Sequence, residues 1–301
     1  MAGAADPDTL VDTRPTVRAA LDLGAAALGE AGVEGGRVDA EWLLAEALGI
    51  ARGRLGLHGQ QPVEPLAAAR YVQALRRRIG REPLQHIVGT QAFRDLTLRV
   101  SGDALVPRPE TELLAGWALE LLPPANAPLA IDAGTGSGCV ACALACERPD
   151  VRVLALDVSP SAVALARDNV AALGLAGRVT VEVSDLFAAL GPVRADLIVS
   201  NPPYLPSEVI PTLAPEVSRH DPRLALDGGP DGLAVIRRLV EAAPRWLVPG
   251  GWLVLETGGD EQARDVVALM DARGFTRIET RPDLAGIVRF VAGGISSCQH
   301  V

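Results

Sequence analysis

The sequence predicts an α/β protein with a doubly wound, mainly parallel sheet and a small N-terminal helical bundle joined to it by a β-hairpin. After residue 107, strand-like apolar runs alternate with helical stretches, which is typical of a parallel sheet covered on both faces. Before residue 80, apolar residues recur only at helical spacing, and each stretch stops at glycine. Between these regions, apolar and polar residues alternate around turn signals, which indicates the hairpin.

The amino-terminal region is predicted to be a bundle of helices. Leu, Ala or aromatic residues recur every three or four positions over residues 16–32, 36–49 and 64–80. Arginines crowd the end of the bundle at Arg70, Arg76, Arg77, Arg78 and Arg81. We interpret this cluster as a solvated helix face and favour that over a partner-binding patch.

Changes in the sequence pattern predict the domain boundaries. We expect a helical domain over 1–85, a hairpin connector over 86–106, an α/β domain over 107–294 and a mobile tail over 295–301. The predicted strands of the α/β domain are 129–134, 151–158, 178–185, 195–203 and 250–258. Helices are predicted within 107–122, after the glycines that follow residue 134, and within 159–174, 231–247 and 259–274.

The composition is that of a folded, acidic protein. It is 49% hydrophobic and 22% charged, its formal charge is −9, and all 28 basic residues are arginine. Net acidity disfavours a sequence-independent nucleic-acid binder, which usually carries a basic footprint. Residues 1–15 contain acids and no apolar signal core, and no apolar run reaches the length of a membrane span. We therefore expect a cytoplasmic protein.

The cysteines do not predict a disulfide framework or a metal site. Four cysteines are few for a chain of 301 residues. Cys139, Cys142 and Cys146 have offsets of three and seven, which places them on one face of a single helix. Ligands that converge on one metal need a turning backbone, so we interpret the three as small buried residues. Cys298 lies in the predicted mobile tail.

A glycine-rich loop follows the first strand of the α/β domain. Gly134, Gly136 and Gly138 alternate with Thr135 and Ser137. Glycines at this spacing allow the backbone to approach a ligand closely. A P-loop is excluded because it needs a lysine, and the chain has none. The loop alone is compatible with a nucleotide site or with a simple tight turn.

Aspartates end the next two predicted strands. Asp157 is well placed to accept hydrogen bonds from ribose hydroxyls, and Asp185 to read an adenine amino group. Ligands of open α/β sheets lie beyond the carboxyl ends of the strands, where both residues fall. Either aspartate could instead cap the helix that follows it. After Asp157, however, Ser159 and Ser161 can supply the cap.

The fourth predicted strand runs into the tetrapeptide Asn201-Pro202-Pro203-Tyr204. Two prolines remove two backbone donors and fix φ, so the segment is rigid and extended. One amide side chain, that of Asn201, and one phenol, that of Tyr204, therefore project beyond the strand. An isolated tetrapeptide could be an ordinary Asx turn. Because it follows three features of a nucleotide site, the tetrapeptide forms a much more specific set together with them.

Together these motifs resemble those of class I S-adenosylmethionine-dependent methyltransferases that act on planar nitrogens. Flanking stretches over 81–89, 106–112, 221–233 and 283–289 narrow the resemblance to the HemK/PrmC type of protein-(glutamine-N5) methyltransferase. The resemblance spans about residues 16 to 292. It implies a Rossmann-like methyltransferase domain, a substrate-recognition role for residues 1–85, and S-adenosyl-L-methionine as cofactor.

The resemblance implies methylation of the glutamine in the Gly-Gly-Gln motif of class I peptide-chain release factors, which would modulate translation termination. No membrane and no direct nucleic-acid partner are expected. Carried over residue by residue, the cofactor would be lined by Gly134, Thr135, Gly136, Ser137, Gly138, Asp157, Asp185, Leu186 and Asn201. The catalytic residues would be Asn201, Pro202 and Tyr204, and these together with Pro203 would bind the substrate amide.

The chain departs from the family pattern at three positions, and its closing stretch over 255–266 is also less typical of the family. Leu186 stands where many relatives have tryptophan, His86 where tyrosine is common, and Asp221 where glutamate is usual. The first departure predicts weaker stacking on adenine. None of the three alters the Asn-Pro-Pro-Tyr tetrapeptide.

Three alternative functions remain open at this point. A sister enzyme would methylate a glutamine of a ribosomal protein. An adenine-N6 or guanine-N2 methyltransferase uses the same tetrapeptide on a flipped base, but it predicts a broad basic face. A non-catalytic adaptor would show degenerate glycines or a lost Asn201, and the sequence has neither.

Overall fold

A computed structural model of the chain describes residues 7–124 and 127–297. The chain forms two compact units. The helical unit comprises Met1–Gly89 with Ala214–His220, and the sheet unit comprises Thr90–Leu213 with Asp221–Val301. The predicted first boundary, at residue 85, lies four residues before the observed one, and no sequence pattern indicates that 214–220 belongs to the helical unit. Within the described ranges, no helix is long and apolar enough to cross a membrane.

The described helices agree with the predicted stretches and add several short ones. They are α1 (Thr9–Thr13), α2 (Val17–Glu30), α3 (Gly36–Leu48), α4 (Pro65–Ile79), α5 (Leu84–Val88), α6 (Pro109–Leu121), α7 (Cys139–Glu147), α8 (Pro160–Ala172), α9 (Pro215–His220), α10 (Arg223–Leu226), α11 (Ala234–Trp246) and α12 (Asp260–Ala272), with 3-10 turns at Arg52–His58 and Ile210–Thr212.

The helical unit has its own apolar core, with Leu28, Leu44 and Tyr71 fully buried between α2, α3 and α4. Gly24 allows the close packing of α2 on α4, because a Cβ there would lie 2.0 Å from the Tyr71 hydroxyl oxygen. Thr16 caps α2 by accepting from the amide of Ala19 at 3.2 Å. The predicted bundle is therefore confirmed.

The arginine cluster of α4 differs from its predicted role as a solvated face. Arg78 is only 6% exposed. Its guanidinium donates to Asp39 at 2.7 Å and to Glu216 of α9 at 2.9 Å. Arg77 pairs with Glu82 on the surface. The prediction is wrong for Arg78, because its carboxylate partners come from distant parts of the chain.

The sheet unit contains a seven-stranded sheet in the order β5-β4-β3-β6-β7-β9-β8. Its strands are β3 (Leu129–Ala133), β4 (Arg152–Asp157), β5 (Val179–Val183), β6 (Ala195–Ser200), β7 (Leu247–Glu256), β8 (Arg277–Pro282) and β9 (Val288–Gly294), and a separate hairpin pairs β1 (Thr90–Phe93) with β2 (Leu96–Arg99). The first five strands of the sheet are parallel, which confirms the predicted fold class. The antiparallel β8 and β9 were not predicted.

The strand order reverses at β3, which pairs with β4 on one side and β6 on the other. The β3–β6 register aligns Asp132 with Val199, so the carboxyl ends of both strands meet at one edge of the sheet. Ser200 fixes this alignment by donating from its hydroxyl to the Ala133 carbonyl at 2.6 Å. In open α/β sheets such a reversal opens the crevice where ligands bind.

The hairpin is shorter than the predicted connector over 86–106, because residues 84–88 form α5. Its second strand is held by Asn169 of α8. The Asn169 side chain accepts from the Arg99 amide at 2.8 Å and donates to the Arg99 carbonyl at 3.0 Å. It also donates to the carbonyl of Ser137 at 2.9 Å, so one buried amide ties the hairpin to the glycine loop.

The predicted tail over 295–301 is described only as far as residue 297, and Cys298 lies outside the described residues. The Ile295 amide donates to the Gly251 carbonyl at 2.9 Å, so the first residue of the predicted tail extends the pairing of β9 with β7. Cys139 and Cys142 are buried on α7 and Cys146 is partly buried, as the sequence predicted.

Candidate active site

The glycine loop between β3 and α7 adopts a left-handed backbone at each glycine. The φ angles are +76° at Gly134, +54° at Gly136 and +81° at Gly138. Residues with a Cβ are strained in this region, which is why glycine recurs at every second position. The loop amides stabilise this shape: Gly134 and Thr135 donate to the Leu156 carbonyl at 2.8 and 2.9 Å, and Gly138 donates to the Thr135 carbonyl at 2.8 Å.

A buried carboxylate holds the loop in this shape. One oxygen of Asp132 accepts from the Thr135 hydroxyl at 2.6 Å and from the Ala141 amide at 3.1 Å. Burial raises the pKa of Asp132 to about 6, and the two hydrogen bonds oppose that rise. Asp132 thus connects β3, the loop and the first turn of α7.

Asp157 ends β4 beside the glycine loop. Its carboxylate accepts from the Gly136 amide at 2.9 Å and from the Ser159 amide at 2.9 Å. The Ser159 hydroxyl accepts from the Ala162 amide at 3.3 Å and caps α8. The serine is therefore the helix cap, and each Asp157 oxygen keeps a further lone pair for a ligand.

Asp185 follows β5 and lies at the same edge of the sheet. Arg238 of α11 donates to both of its oxygens, at 2.9 and 2.8 Å. Both side chains are more than half exposed, so this pair contributes little stability. The sequence does not predict this pair, because Asp185 and Arg238 lie 53 residues apart and no local pattern relates them. That Asp185 reads an adenine amino group stays a prediction.

Leu186 has a left-handed backbone, with φ at +49°. Ser184 stabilises this turn: its hydroxyl donates to the Leu186 carbonyl at 2.7 Å and accepts from the Ala189 amide at 3.0 Å. A leucine in this region is uncommon, and the turn brings its side chain to the lining of the cleft.

The tetrapeptide after β6 is fixed by side chains far away in the sequence. The Asn201 side-chain nitrogen donates to the Thr111 hydroxyl oxygen at 3.0 Å. The Thr111 hydroxyl in turn donates to Glu256 at 2.9 Å. Thr111 and Glu256 are buried, at 2% and 1% exposure. Neither residue was predicted to belong to the site, although Thr111 lies in the stretch 106–112 that carries the family resemblance and Glu256 lies in the predicted strand 250–258.

Tyr204 is held through its backbone. Gln262 of α12 donates from its side-chain nitrogen to the Tyr204 carbonyl at 3.0 Å. Gly232 is required beside this carbonyl, because a Cβ there would lie 2.3 Å from the oxygen. Burial raises the pKa of the Tyr204 hydroxyl above its usual value, and the charge of Glu256 raises it further.

Glu256 ends β7 and is the buried acid of the site. Burial raises its pKa to about 7, and the nearby Glu110 raises it further. Hydrogen bonds from Thr111 and Tyr204 and the charge of Arg289 act in the opposite direction. The carboxyl therefore changes charge within the physiological range of pH.

These elements surround a cleft of about 470 Å³. Nine residues predicted from the sequence line it: Gly134, Thr135, Gly136, Ser137, Asp157, Asp185, Leu186, Asn201 and Pro203. Gly138, Pro202 and Tyr204 lie outside this lining. Gly138 packs against α8, where a Cβ would come within 3.2 Å of the Ala166 Cβ. Arg108 also lines the cleft and donates to Asp221 at 2.8 Å.

Comparison with known proteins shows the class of enzyme to which the chain belongs. A family model described as the methyltransferase small domain matches residues 112–214. A solved T. thermophilus 16S rRNA methyltransferase (RsmC), in complex with AdoMet and guanosine, shares the fold with a TM-score of 0.50 and 20% identity. That alignment covers 68% of this chain and 49% of the other. The chain is a methyltransferase.

The particular family follows from relatives that match over nearly the whole length. A model of the PrmC N-terminal domain matches residues 19–89. The release factor glutamine methyltransferase of Geobacter sulfurreducens is 46% identical, over 93% of this chain and 97% of the relative. That of Cereibacter sphaeroides is 45% identical, over 92% and 98%. The chain belongs to the release factor glutamine methyltransferase family, which confirms the resemblance found in the sequence.

Proposed function

We propose that the chain methylates the side-chain amide nitrogen (N5) of the glutamine in the Gly-Gly-Gln motif of class I peptide-chain release factors. The methyl donor is S-adenosylmethionine, and the modification modulates translation termination. Membership of the family supports this proposal. The main structural support for the proposal is that Asn201 lines the same cleft as the glycine loop, with its side-chain nitrogen bound to Thr111.

The residues of the cleft fit S-adenosylmethionine. Its volume of about 470 Å³ lies within the range of small-molecule sites. The glycine loop lines the cleft with backbone that carries no side chain at Gly134 and Gly136, which allows the cofactor to approach closely. Asp157 offers acceptors for ribose hydroxyls, and Leu186 offers an apolar surface for adenine. When bound, the sulfonium group supplies an electrophilic methyl carbon.

The tetrapeptide orients the amide nitrogen of the glutamine and makes it more reactive. An amide nitrogen is a poor nucleophile, because its lone pair is delocalised into the carbonyl. The Asn201 side-chain oxygen and the Pro202 carbonyl accept its two N–H groups, which aims the nitrogen and stabilises positive charge as it develops. Tyr204 lies against the plane of the amide. Positioning of this kind accounts for much of the rate, and no strong base is required.

The helical unit supplies recognition of the protein substrate. It matches the PrmC N-terminal domain over most of its length. It also exposes large apolar side chains, with Trp42 at 43%, Leu57 at 80% and Leu66 at 66% exposure. Exposed apolar surface of this kind is typical of contact with a protein partner when it forms a patch.

Labelled methyl transfer tests the proposal directly. Purified release factors, ribosomal proteins, DNA and tRNA are incubated in parallel with the enzyme and methyl-labelled S-adenosylmethionine. We expect label only in release factors, and none in a release factor whose Gly-Gly-Gln glutamine is replaced by alanine. Label confined to ribosomal proteins or nucleic acid would contradict the proposal.

A further inference from the structure

A chain of hydrogen bonds fixes the direction of the Asn201 carboxamide. The side chain of asparagine has a donor end and an acceptor end, which lie on opposite sides of one carbon. Thr111 has a single hydroxyl proton, and it donates that proton to Glu256 at 2.9 Å. The Thr111 oxygen can therefore only accept from Asn201, which it does at 3.0 Å.

We propose that Thr111 and Glu256 are positioning residues that present the oxygen of the Asn201 carboxamide, rather than its NH₂ group, to the substrate. This inference rests on the proposed function, because it requires Asn201 to accept a hydrogen bond from the glutamine. Neither Thr111 nor Glu256 needs to touch the glutamine for this role. Both act through Asn201.

Reversal of the carboxamide would place two donors face to face. The glutamine nitrogen presents only N–H groups, and an inverted Asn201 would present its own N–H groups to them. The substrate would then lose one of its two acceptors, and its nitrogen would no longer be aimed. Because the barrier depends on positioning within about 1 Å, even a partial population of the inverted side chain lowers the rate.

The charge of Glu256 decides the donor-to-acceptor direction of the hydrogen bonds that join Asn201, Thr111 and Glu256. As a carboxylate it can only accept, so the Thr111 proton points toward it. As a neutral acid it can donate to Thr111, which frees the Thr111 proton to turn toward Asn201 and favours the inverted amide. The charged groups around Glu256 are Glu110 and Arg289, and Arg108 acts on the adjacent Tyr204.

The other end of the Asn-Pro-Pro-Tyr tetrapeptide is held separately, because Gln262 donates to the Tyr204 carbonyl at 3.0 Å. The prolines fix the backbone between Asn201 and Tyr204. The hydrogen bonds through Thr111 to Glu256 therefore act on the side chain of Asn201, at the first position of the tetrapeptide.

A matched pair of substitutions at Thr111 tests the positioning role. Thr111→Val keeps the shape and removes the hydroxyl, whereas Thr111→Ser keeps the hydroxyl. We expect Thr111→Val to lower kcat for release-factor methylation by about 10- to 100-fold. Thr111→Ser should restore most of that loss. Affinity for S-adenosylmethionine, measured by calorimetry, should change less than threefold in both.

Thr180→Val on the exposed face of β5 makes the same chemical change away from the site and serves as the control. A Thr111→Val enzyme that matches this control in kcat would overturn the inference. So would a Thr111→Ser enzyme as slow as Thr111→Val, because the hydroxyl would then not be the relevant group.

A pH profile of kcat provides a second test that does not depend on the folding of Thr111→Val. Wild-type kcat should fall as the pH drops below about 7, where Glu256 becomes neutral. In Glu256→Gln, which cannot change charge, this decline should disappear between pH 6 and 8. An unchanged decline in Glu256→Gln would assign it to another group and contradict the inference.

Nuclear magnetic resonance of the enzyme without substrate separates this inference from the proposed function. The side-chain NH₂ signals of Asn201, assigned by their absence in Asn201→Ala, should titrate near pH 7 in the wild type and not in Glu256→Gln. With that titration present, failure of the wild type to methylate release factors would refute the proposed function alone. Absence of the titration would refute the hydrogen-bond chain.

Discussion

Arg78 and Glu216 lie 138 residues apart in the sequence, and the Arg78 guanidinium donates a hydrogen bond of 2.9 Å to the Glu216 carboxylate. Arg81 donates to the other oxygen of Glu216 at 2.8 Å. Arg78 is also paired with Asp39, at 2.7 Å. All four residues belong to the helical unit, so α9 is part of that unit although the chain reaches it from the Asn-Pro-Pro-Tyr tetrapeptide.

Glu216→Gln should destabilise the protein by about 1–3 kcal/mol at pH 7, because charge-assisted hydrogen bonds would be replaced by weaker ones. The two arginines lower the pKa of Glu216 to about 2. A lowered pKa stabilises the folded state above the unfolded pKa, and this contribution is lost as the pH falls toward 2. The difference from wild type in urea unfolding should therefore shrink below about pH 4.5. A difference that is constant with pH would contradict this.

Asn201→Ala should abolish methylation while barely altering the affinity for S-adenosylmethionine. The substitution removes the acceptor for the substrate amide, whereas the glycine loop and Asp157 remain in place. Single-turnover methylation and calorimetric titration of the cofactor measure the two effects separately. Equal losses in both would make Asn201 mainly a cofactor ligand.

Gly138→Ala should destabilise the protein more than Gly136→Ala. Both glycines have a left-handed backbone, which costs alanine about 1–2 kcal/mol. At Gly138 the new Cβ would also meet the Ala166 Cβ at 3.2 Å, whereas at Gly136 its first neighbour is 3.7 Å away. Urea denaturation measures the difference. Equal destabilisation would mean that α8 moves aside to accept the methyl group.

The double substitution Leu57→Ala and Leu66→Ala should raise KM for an intact release factor by about threefold to tenfold, because it removes apolar surface from the helical unit. Kinetics on a short glutamine peptide should be unaffected. Leu284→Ala, at a side chain that is 91% exposed in the sheet unit, is the matched control. An unchanged KM for the intact protein would count against recognition through these two leucines.

Removal of residues 1–80 should also raise KM for the intact protein more than for the peptide. This truncation is a less selective test than the leucine substitutions, because it also removes Arg78, one of the two arginines that pair with Glu216. A shortened enzyme with unchanged kinetics on the intact release factor would contradict recognition through the helical unit.

The sequence predicts the parts of the fold that have a local pattern. Strands such as β6 are continuous apolar runs because the sheet buries both of their faces. The edge strand β8 was missed, because most of its residues are exposed and it has no apolar stripe. In the site, the glycine loop and Asn201 are recognisable from neighbouring residues. The Asn201–Thr111 and Thr111–Glu256 pairs span 90 and 145 residues, so no local pattern relates them.

The assignment of Ala214–His220 to the helical unit has a consequence for biosynthesis. While the nascent chain leaves the ribosome, Arg78 can pair with Asp39, but Glu216 emerges only 138 residues later. At about 5–20 residues per second, that delay is roughly 7 to 28 s. The amino-terminal helices therefore wait for a distant segment before Arg78 gains its second carboxylate partner, and they reach full stability only after most of the polypeptide has been made.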